Sequence, residues 1–584
     1  MPAPILLLTN PDDDHPFDTY LEEILRCEGY NCYEKMAGAP GISAESLAGY
    51  SLVLVSSGAA HHMDKEAIRA HMQAGGRAAV FKPPRDWGEV FGLARTGETY
   101  ATARDAYVHV NDLHPWMTGF PAPDLQCLGE SHVYTCKDAE TLVYIAGQLA
   151  YPSRFPAVAL KRLGQGVGVM FAYDLAECVV LTHQGRPENA STGSNPDANR
   201  DGKFCADDAL EGMRDFRLRH VPQADVHQDV LVRVIRGLTA DSLPLPRLWH
   251  FPDAAPGLFL IDGDGDSMDW SDLLWVVETV ERYGVKYTFY LMDQQIDSFS
   301  KEAVDGIRAR GHDFGPHPWV GLRPTVPEWE REIERMVSRL RAKFELEPRS
   351  LRSHCVVFPG WDDSPKIFHR NGLRLDTNFA NGYRYVSGYP NGSALPVKFI
   401  GRDGEIIDCY EQSTVHTEDG AFSPKTLLPE LSEEQAVALS SELVAGAART
   451  YHGVYHPYFH PLSLRQESHK RWFAKILQQA AEANLPNMNA REWLAFNDAR
   501  RAVSADRLRW APEQGQLRFR LSAPLPVEQL TVLLPPCAGL APSSTLIDGE
   551  AVELTHLPYE GTGWHAFQTH LSAGSEARVE VNYA

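Results

Sequence analysis

Residues 258–266, Leu-Phe-Leu-Ile-Asp-Gly-Asp-Gly-Asp, decide the fold of the central part of this chain. The four apolar residues follow Pro256 and Gly257 and predict a short buried strand. Three aspartates spaced by glycines come next, and glycine permits a sharp turn at a strand end. Carboxylates crowded at the rim of a sheet are costly unless a cation or a shared proton relieves them. The segment therefore predicts either a metal site with Asp or mixed His/Asp ligands or a solvated acidic turn.

The composition limits the classes of function. A chain of 584 residues is too long for one hydrophobic core, so about three domains are expected. The 55 Lys and Arg residues against 77 Asp and Glu residues give a net charge of -22. So acidic a chain disfavours nucleic acid or an anionic membrane as a partner. The nine cysteines are scattered without a CxxC pair and predict free thiols rather than a disulfide framework or a zinc ribbon.

The cysteine pattern and the N-terminus bear on the compartment. No apolar run reaches membrane-spanning length. Residues 1–4, Met-Pro-Ala-Pro, lack the basic region of a signal peptide. A cytoplasmic location is predicted, or an extracytoplasmic one if a signal peptide has been removed. The sequence does not decide the oligomeric state, and a homo-oligomer stays open.

Strands and helices alternate over residues 1–245. Apolar runs near residues 5–8, 51–58 and 76–81 predict buried strands, and residues 18–28 and 64–73 predict helices. This alternation predicts a parallel, doubly wound sheet of the flavodoxin-like class. The sequence Leu-Pro-Leu-Pro at 243–246 marks the end of this domain, because consecutive X-Pro units extend the chain.

The second domain is predicted over residues 246–505. The acidic segment is followed by a predicted helix at 270–283, a strand at 287–291 and a helix at 300–310. Gly-His-Asp-Phe-Gly-Pro-His then occupies positions 311–317. A longer predicted helix at 327–344 precedes Arg352, Ser353 and His354.

This order of elements and motifs resembles the polysaccharide deacetylases, the NodB-like domains of carbohydrate esterase family 4. The resemblance covers about residues 246–500. It implies a distorted (β/α) barrel that removes N- or O-acetyl groups from sugars, with an aspartate base and an Asp-His-His metal site. The preceding domain resembles ThuA-like and glutamine-amidotransferase-like domains in its element order and in Val-Met-Phe-Ala-Tyr-Asp-Leu-Ala at 169–176. Because the catalytic cysteine elbow of the amidotransferases is absent, that domain is predicted to be non-catalytic.

The resemblance implies roles for the acidic segment. Asp264 aligns with the catalytic base, and Asp266 is assigned as the metal ligand because the family's adjacent ligand position falls on Gly265. A second register makes Asp262 the base and Asp264 the ligand. Both registers remain open at this point.

The two histidine ligands come from separate motifs. His317 matches the first histidine of the family's histidine pair, whose second member would fall on Gly321. His354 is therefore assigned as the replacement ligand. The predicted metal set is Asp266, His317 and His354, with zinc expected first and cobalt, nickel or manganese as alternatives.

Three further catalytic roles follow from the resemblance. Arg352 matches the arginine of the third motif, and Asp376 matches the aspartate that orients it. His460 best matches the general-acid histidine of the last motif, with His456 as the second choice.

Aromatic residues near these motifs are candidates for stacking against a sugar ring. Trp319, Trp361 and Tyr383 are assigned to substrate binding. A carbohydrate is the expected partner.

Residues 506–584 change pattern and form a third predicted domain. Gln-Leu-Arg-Phe-Arg-Leu at 516–521 alternates polar and apolar residues, as a half-buried strand does. Similar segments follow, and the Asp-Gly pair at 548–549 suits a hairpin. These features predict a small accessory β-sandwich with a packing or carbohydrate-binding role.

The sequence thus predicts a metal-dependent hydrolase that removes acetyl groups from a sugar or polysaccharide. Two alternatives remain. One is a catalytically lapsed barrel that binds glycan or serves as a scaffold. The other is a related C–N hydrolase that acts on a small amide without a sugar.

Overall fold

The computed structural model describes residues 2–100, 106–192, 202–380, 387–422, 430–559 and 563–584. Within these ranges the chain is a mixed α/β protein with several sheets, as predicted. All nine cysteines are free thiols, as predicted. No helix in the described ranges is both long enough and apolar enough to cross a membrane. The flavodoxin-like, barrel and β-sandwich classes and the domain boundaries stay predictions.

The first region contains eleven strands and six helices among its described residues. The strands are β1 Ile5–Leu8, β2 Tyr33–Met36, β3 Leu52–Val55, β4 Arg77–Phe81, β5 Leu93–Tyr100, β6 Tyr107–Val110, β7 Asp124–Gln126, β8 Ser131–Cys136, β9 Glu140–Gln148, β10 Tyr151–Leu163 and β11 Gly166–Phe171. The helices are α1 Tyr20–Cys27, α2 Ala44–Leu47, α3 Ser57–His61, α4 Lys65–Gln73, α5 Leu175–His183 and α6 Gln223–Thr239.

Nine of these strands form one sheet in the order β2-β1-β3-β4-β11-β10-β9-β6-β7. The first five strands in this order, β2, β1, β3, β4 and β11, are parallel. The remaining four, β10, β9, β6 and β7, are joined to β11 and to one another by antiparallel ladders. The prediction of a parallel sheet is therefore wrong for β10, β9, β6 and β7. The physical reason is the tight connection through Gly164 and Gln165, because two strands joined by so short a loop must be antiparallel.

The parallel part of this sheet is covered on both faces. Ile5 and Leu7 belong to one hydrophobic cluster, and Leu6 and Leu8 belong to another. Since successive residues of a strand point to opposite faces, the continuous apolar run of β1 fills two separate cores.

The second region contains the predicted site. Its strands are β12 Arg247–Leu248, β13 Leu258–Phe259, β14 Asp262–Asp264, β15 Thr288–Leu291, β16 Asp313–Pro316, β17 Ser350–Leu351, β18 Leu375–Asp376, β19 Val397–Ile400, β20 Ile406–Glu411, β21 His416–Thr417, β22 Val454–Tyr455 and β23 Pro457–Tyr458. Its helices are α7 Trp270–Glu281, α8 Asp293–Ser298, α9 Lys301–Ala309, α10 Val326–Phe344, α11 Asp363–Arg370, α12 Glu418–Phe422, α13 Glu433–Ala445, α14 Glu467–Glu482 and α15 Ala490–Ala502.

Two sheets of this region bring the motifs together. One has the order β16-β15-β14-β23-β21 and is parallel throughout. The other has the order β17-β18-β20-β19, in which only β19 is antiparallel. Because the carboxyl ends of parallel strands meet at one edge, the residues that follow β14, β16, β17 and β23 collect on the same side of the fold.

The acidic segment is extended at its first two aspartates and turns at the third. Asp262 and Asp264 lie within β14, and Asp266 follows two residues later. The turn expected at the strand end follows Asp264, where the N–H of Met268 donates to the carbonyl oxygen of Gly265 at 3.2 Å. The alternative of a solvated acidic turn is wrong for Asp262 and Asp264, because both are buried. With a side-chain period of two, Asp262 and Asp264 point to one face of β14 and Gly263 points to the other. The turn then brings the carboxylate of Asp266 to His317, which Asp264 also faces.

Gly263 and Gly265 are required by close packing. A Cβ atom on Gly263 would lie 2.2 Å from the hydroxyl of Tyr287 and 2.3 Å from the carbonyl oxygen of Phe459. A Cβ atom on Gly265 would lie 2.6 Å from the carbonyl oxygen of Tyr290. The glycines thus let β14 approach its neighbours closely and hold the aspartates in register.

The last region consists of two antiparallel sheets. Its strands are β24 Ser504–Ala511, β25 Gln516–Ala523, β26 Val527–Leu534, β27 Pro542–Ile547, β28 Glu550–Val552, β29 Thr555–Leu557, β30 Trp564–Leu571 and β31 Ser575–Tyr583. The sheet orders are β24-β25-β31-β27-β28 and β12-β26-β30-β29. Strand β12 lies far earlier in the chain, so this region is joined to the rest by a shared sheet.

Candidate active site

Asp266 is the centre of the candidate metal site. Its Oδ1 lies 2.8 Å from Nδ1 of His354 and 3.4 Å from Nε2 of His317. The ligand atoms of these three residues all lie within 4.8 Å of one another. The structure therefore brings together three side chains from the ends of β14, β16 and β17 that lie far apart in the sequence.

Four polar atoms at this site are buried, and although Oδ1 of Asp266 and Nδ1 of His354 approach to 2.8 Å, none of the four is aligned for a hydrogen bond. Oδ1 of Asp264, Oδ1 of Asp266, Nε2 of His317 and Nδ1 of His354 have no hydrogen-bond partner among the described residues. Buried polar atoms are normally paired, and several orphans facing one another need a common partner. Their N and O chemistry fits a divalent cation such as zinc.

Backbone contacts fix the orientation of His317. Its Nδ1 lies 2.8 Å from the carbonyl oxygen of Arg352 and donates a hydrogen bond to it. The proton on Nδ1 leaves the lone pair of Nε2 directed at Asp266. Asp266 and His354 are about one-quarter exposed, at 25% and 26%, whereas His317 is fully buried. The candidate site is therefore reached from the side of Asp266 and His354.

Arg352 is fully buried, and its closest ion-pair partner is Asp262. Nη1 and Nη2 donate to the two oxygens of Asp262 at 2.8 and 3.3 Å, and Nη2 also donates to Oγ1 of Thr414 at 2.7 Å. Nε donates to the carbonyl oxygen of Thr377 at 3.0 Å. The predicted hydrogen-bonded pair of Asp376 with Arg352 is thus not formed.

Asp376 is instead bonded to its own neighbour. Its Oδ1 accepts from Nδ2 of Asn378 at 2.5 Å, and its Oδ2 has no hydrogen-bond partner among the described residues. Asp376 follows Leu375 at the end of β18, and its carboxylate makes no hydrogen bond to the guanidinium of Arg352. Burial raises the pKa of Asp376 to about 7.

Asp376→Asn is expected to stabilise the protein at pH 8 but much less at pH 4. The pKa of Asp376 in the folded protein lies above its unfolded value of about 4. The free energy of unfolding of the wild type therefore falls as the pH rises from about 4 to 7 and remains at the lower value above pH 7. Asparagine keeps the acceptor for Asn378 without the buried charge. The free energy of unfolding, from urea titrations at several pH values, should favour the variant by up to about 4 kcal/mol at high pH. A difference that does not change with pH would contradict this account.

Asp264 has the surroundings of a general base. One of its oxygens lies 3.5 Å from Nη1 of Arg352 and 3.9 Å from Nδ1 of His317, and the other lies 3.9 Å from Nε2 of His460. Burial raises its pKa, although His317, Arg352 and His460 oppose that rise. Both oxygens of Asp262 are engaged by Arg352 and His456, so the geometry favours the register with Asp264 as base and Asp266 as ligand.

His460 is held by the carboxylate of Glu418, which no sequence motif marks. Its Nδ1 lies 2.6 Å from Oε1 of Glu418, and its backbone N–H donates to the same oxygen at 2.8 Å. Its Nε2 lies 3.2 Å from Oδ2 of Asp266. Burial lowers the pKa of His460, but Glu418 and Asp266 raise it well above the usual value. Glu418 follows β21 without a motif around it, so only its fully buried position identifies it.

His456, the second choice for the general acid, is enclosed. Its Nε2 lies 2.9 Å from Oδ2 of Asp262, and its Nδ1 lies 3.1 Å from the carbonyl oxygen of Ser413. The side chain is fully buried. It serves to hold Asp262, and His460 is the histidine directed at Asp266.

The three predicted stacking residues have different outcomes. Trp319 is 38% exposed, and its ring meets the ring of His354 edge-on at 4.6 Å. Trp361 is 1% exposed and donates to the carbonyl oxygens of Gln184 and Gly185, so its prediction as a sugar platform is wrong. Packing of the first region over Trp361 covers it. Tyr383 lies outside the described residues.

This chain is similar to known protein structures at low sequence identity and low TM-score. No protein-family model and no curated protein matches this chain. A structure from Mycobacterium smegmatis described as a polysaccharide deacetylase shares 12% identity and covers 47% of this chain and 99% of its own, with a TM-score of 0.36. A mutant of a CE4 family pseudoenzyme with restored enzymatic activity shares 12% sequence identity. The match covers 41% of this chain and 68% of the other, with a TM-score of 0.26.

A third structure belongs to Bordetella bronchiseptica. It is described as a polysaccharide deacetylase involved in O-antigen biosynthesis, and it shares 14% identity over 39% of this chain and 86% of its own, with a TM-score of 0.24.

Proposed function

We propose that this protein is a metal-dependent hydrolase that removes acetyl groups from a carbohydrate. The observation that supports it best is the convergence of four buried polar atoms, on Asp264, Asp266, His317 and His354, for which the described part of the chain offers no aligned hydrogen-bond partner. A cation bound by the last three would satisfy them and leave Asp264 beside it. A divalent cation, zinc first, would polarise the acyl oxygen and a water molecule.

The chain's own residues would handle the protons. Asp264 takes the proton of the attacking water, and its raised pKa improves it as a base. Arg352, fixed by Asp262, keeps the Asp264 carboxylate in place. His460 then donates a proton from Nε2 to the leaving amine or alkoxide while Glu418 holds Nδ1.

The exposed ring of Trp319 lies beside the open side of the site. It offers a flat apolar surface to a sugar ring next to His354. This position supports a carbohydrate over a linear amide as the substrate.

Glu418→Gln is expected to lower the pKa of His460 and to move the basic limb of the pH–rate profile to lower pH. A general acid must be protonated, so activity falls as the pH rises through its pKa. We expect kcat to fall about tenfold or more with a smaller change in KM. Asp419→Asn is the matched control, because Asp419 lies 4.0 Å from Nδ1 and is 52% exposed. An unchanged basic limb in Glu418→Gln would refute the role of His460.

The function is tested by metal content and acetate release. We expect about one equivalent of zinc in purified protein and acetate release from a panel of acetylated saccharides, with none from linear amides. Activity on the amides alone would favour the C–N hydrolase, and metal-free protein that binds glycan without hydrolysis would favour the lapsed scaffold.

A further inference from the structure

The outer face of the C-terminal sheet carries a groove rich in arginine. The groove has a volume of about 750 Å³ and is formed by β24, β25, β31 and the hairpin at Asp548 and Gly549. Five arginines line it, against the two carboxylates of Asp548 and Glu580. The five are Arg507, Arg509, Arg518, Arg520 and Arg578. A cationic surface stands out in a chain with a net charge of -22.

Like charges face each other across the strands of this groove. Arg509 of β24 is opposite Arg518 of β25, and Arg520 of β25 is opposite Arg578 of β31. Residues directly opposite in an antiparallel pair lie close together, and like charges there are unfavourable. Carboxylates of the same sheet relieve part of this repulsion, and an external anion would relieve the rest.

Internal carboxylates balance only part of this charge. Arg518 pairs with Glu580 at 2.8 Å, and Arg520 pairs with Asp506 at 2.7 Å and with Glu576 at 2.6 Å. Arg507, Arg509 and Arg578 form no ion pair with any residue in the described part of the chain, and all three are exposed. Three guanidinium groups are therefore available to an external anion.

We propose that this groove binds an anionic polysaccharide strand. Guanidinium groups bind carboxylate and sulfate through paired hydrogen bonds, and side chains two residues apart on a strand repeat about every 7 Å. A linear polymer with regularly spaced anions can engage several of them at once. The groove would hold one part of an acidic glycan while the candidate active site acts on another part of the same glycan.

A glycan is favoured over single-stranded nucleic acid by the lining of the groove. Nucleic acid strands are usually held by exposed aromatic rings on which the bases stack. Among the described lining residues the aromatic one is Phe519, which is only 4% exposed. The choice of a glycan among polyanions rests on the proposed function. The proposal that the groove binds an anion rests on its arginines alone.

Binding of fluorescently labelled alginate to the full chain, with neutral dextran as reference, tests the proposal. We expect alginate to bind to the wild type with an affinity that falls as the salt concentration rises. Its affinity for Arg509→Gln/Arg578→Gln should be at least about fivefold lower. The control Arg95→Gln/Arg331→Gln removes two exposed arginines elsewhere and should bind as the wild type does. Acetate release from a short neutral acetylated oligosaccharide should be the same in all three proteins.

Three outcomes of the binding experiment itself would overturn the proposal. They are unchanged alginate binding by Arg509→Gln/Arg578→Gln, dextran binding as tight as alginate binding, and single-stranded DNA binding as tight as alginate binding. His317→Ala separates this proposal from the proposed function, because it should lose hydrolysis and keep alginate binding. Loss of alginate binding in His317→Ala would place the polymer at the active site instead of the groove.

Discussion

Asp266→Ala is expected to remove the bound metal and to reduce acetate release at least about 100-fold. Asp266 is the residue that faces all three histidines, with Oδ1 towards His317 and His354 and Oδ2 towards His460. Without its carboxylate, two neutral imidazoles remain to hold a doubly charged ion. Metal content by mass spectrometry and the zinc affinity against a chelator measure the first effect, and acetate release measures the second.

Asp13→Ala is the matched control for that experiment. Asp13 is an exposed carboxylate in the first region, so its loss changes the net charge equally without touching the site. Because Asp266 is one-quarter exposed, Asp266→Ala should still fold with an unchanged circular dichroism spectrum. If Asp266→Ala retains one equivalent of tightly bound zinc, the proposed ligand set is wrong.

The sequence predicted those features that depend on local signals. Helix α10 begins after Thr325, whose side chain caps the helix together with Glu328, and its predicted span of 327–344 differs by one residue from Val326–Phe344. Helix α9 ends just before Gly311, which has a φ of 93° and so stops the helix. These signals are carried by a few adjacent residues and need no tertiary information.

The approximate position of the site was also predictable, since its motifs follow parallel strands. Asp266, His317 and His354 each come after a strand, and the carboxyl ends of such strands share one edge. The partner of Arg352 was not predictable in this way. Asp376 and Asp262 both lie on strands near Arg352, and only the direction of each side chain decides that Asp262 receives the ion pair.

The other misses came from contacts between distant segments. Trp361 is covered because the backbone at Gln184 and Gly185 accepts its N–H, 177 and 176 residues away along the chain. Glu418 holds His460 through a bond that spans 42 residues. Such pairings depend on how the regions pack, and no residue pattern near Trp361 or Glu418 encodes them.

Arg352→Met is expected to destabilise the protein by about 3–5 kcal/mol, the second large effect that the structure predicts. Arg352 and Asp262 are both fully buried, and burial would raise the pKa of Asp262 were it not outweighed by Arg352 and His456. Removing the arginine leaves the buried carboxylate of Asp262 with His456 but without its guanidinium partner. The free energy of unfolding in urea at pH 7 measures the loss.

The double variant Arg352→Met/Asp262→Asn distinguishes a lost ion pair from lost packing. Asparagine removes the stranded charge and keeps an acceptor for His456, so the double variant should be more stable than Arg352→Met alone by about 1–3 kcal/mol. If the pair contributed only packing, the second substitution would add to the damage. That result would also remove the basis for assigning Asp264 as the base, because the fixed arginine is what holds its carboxylate beside His317.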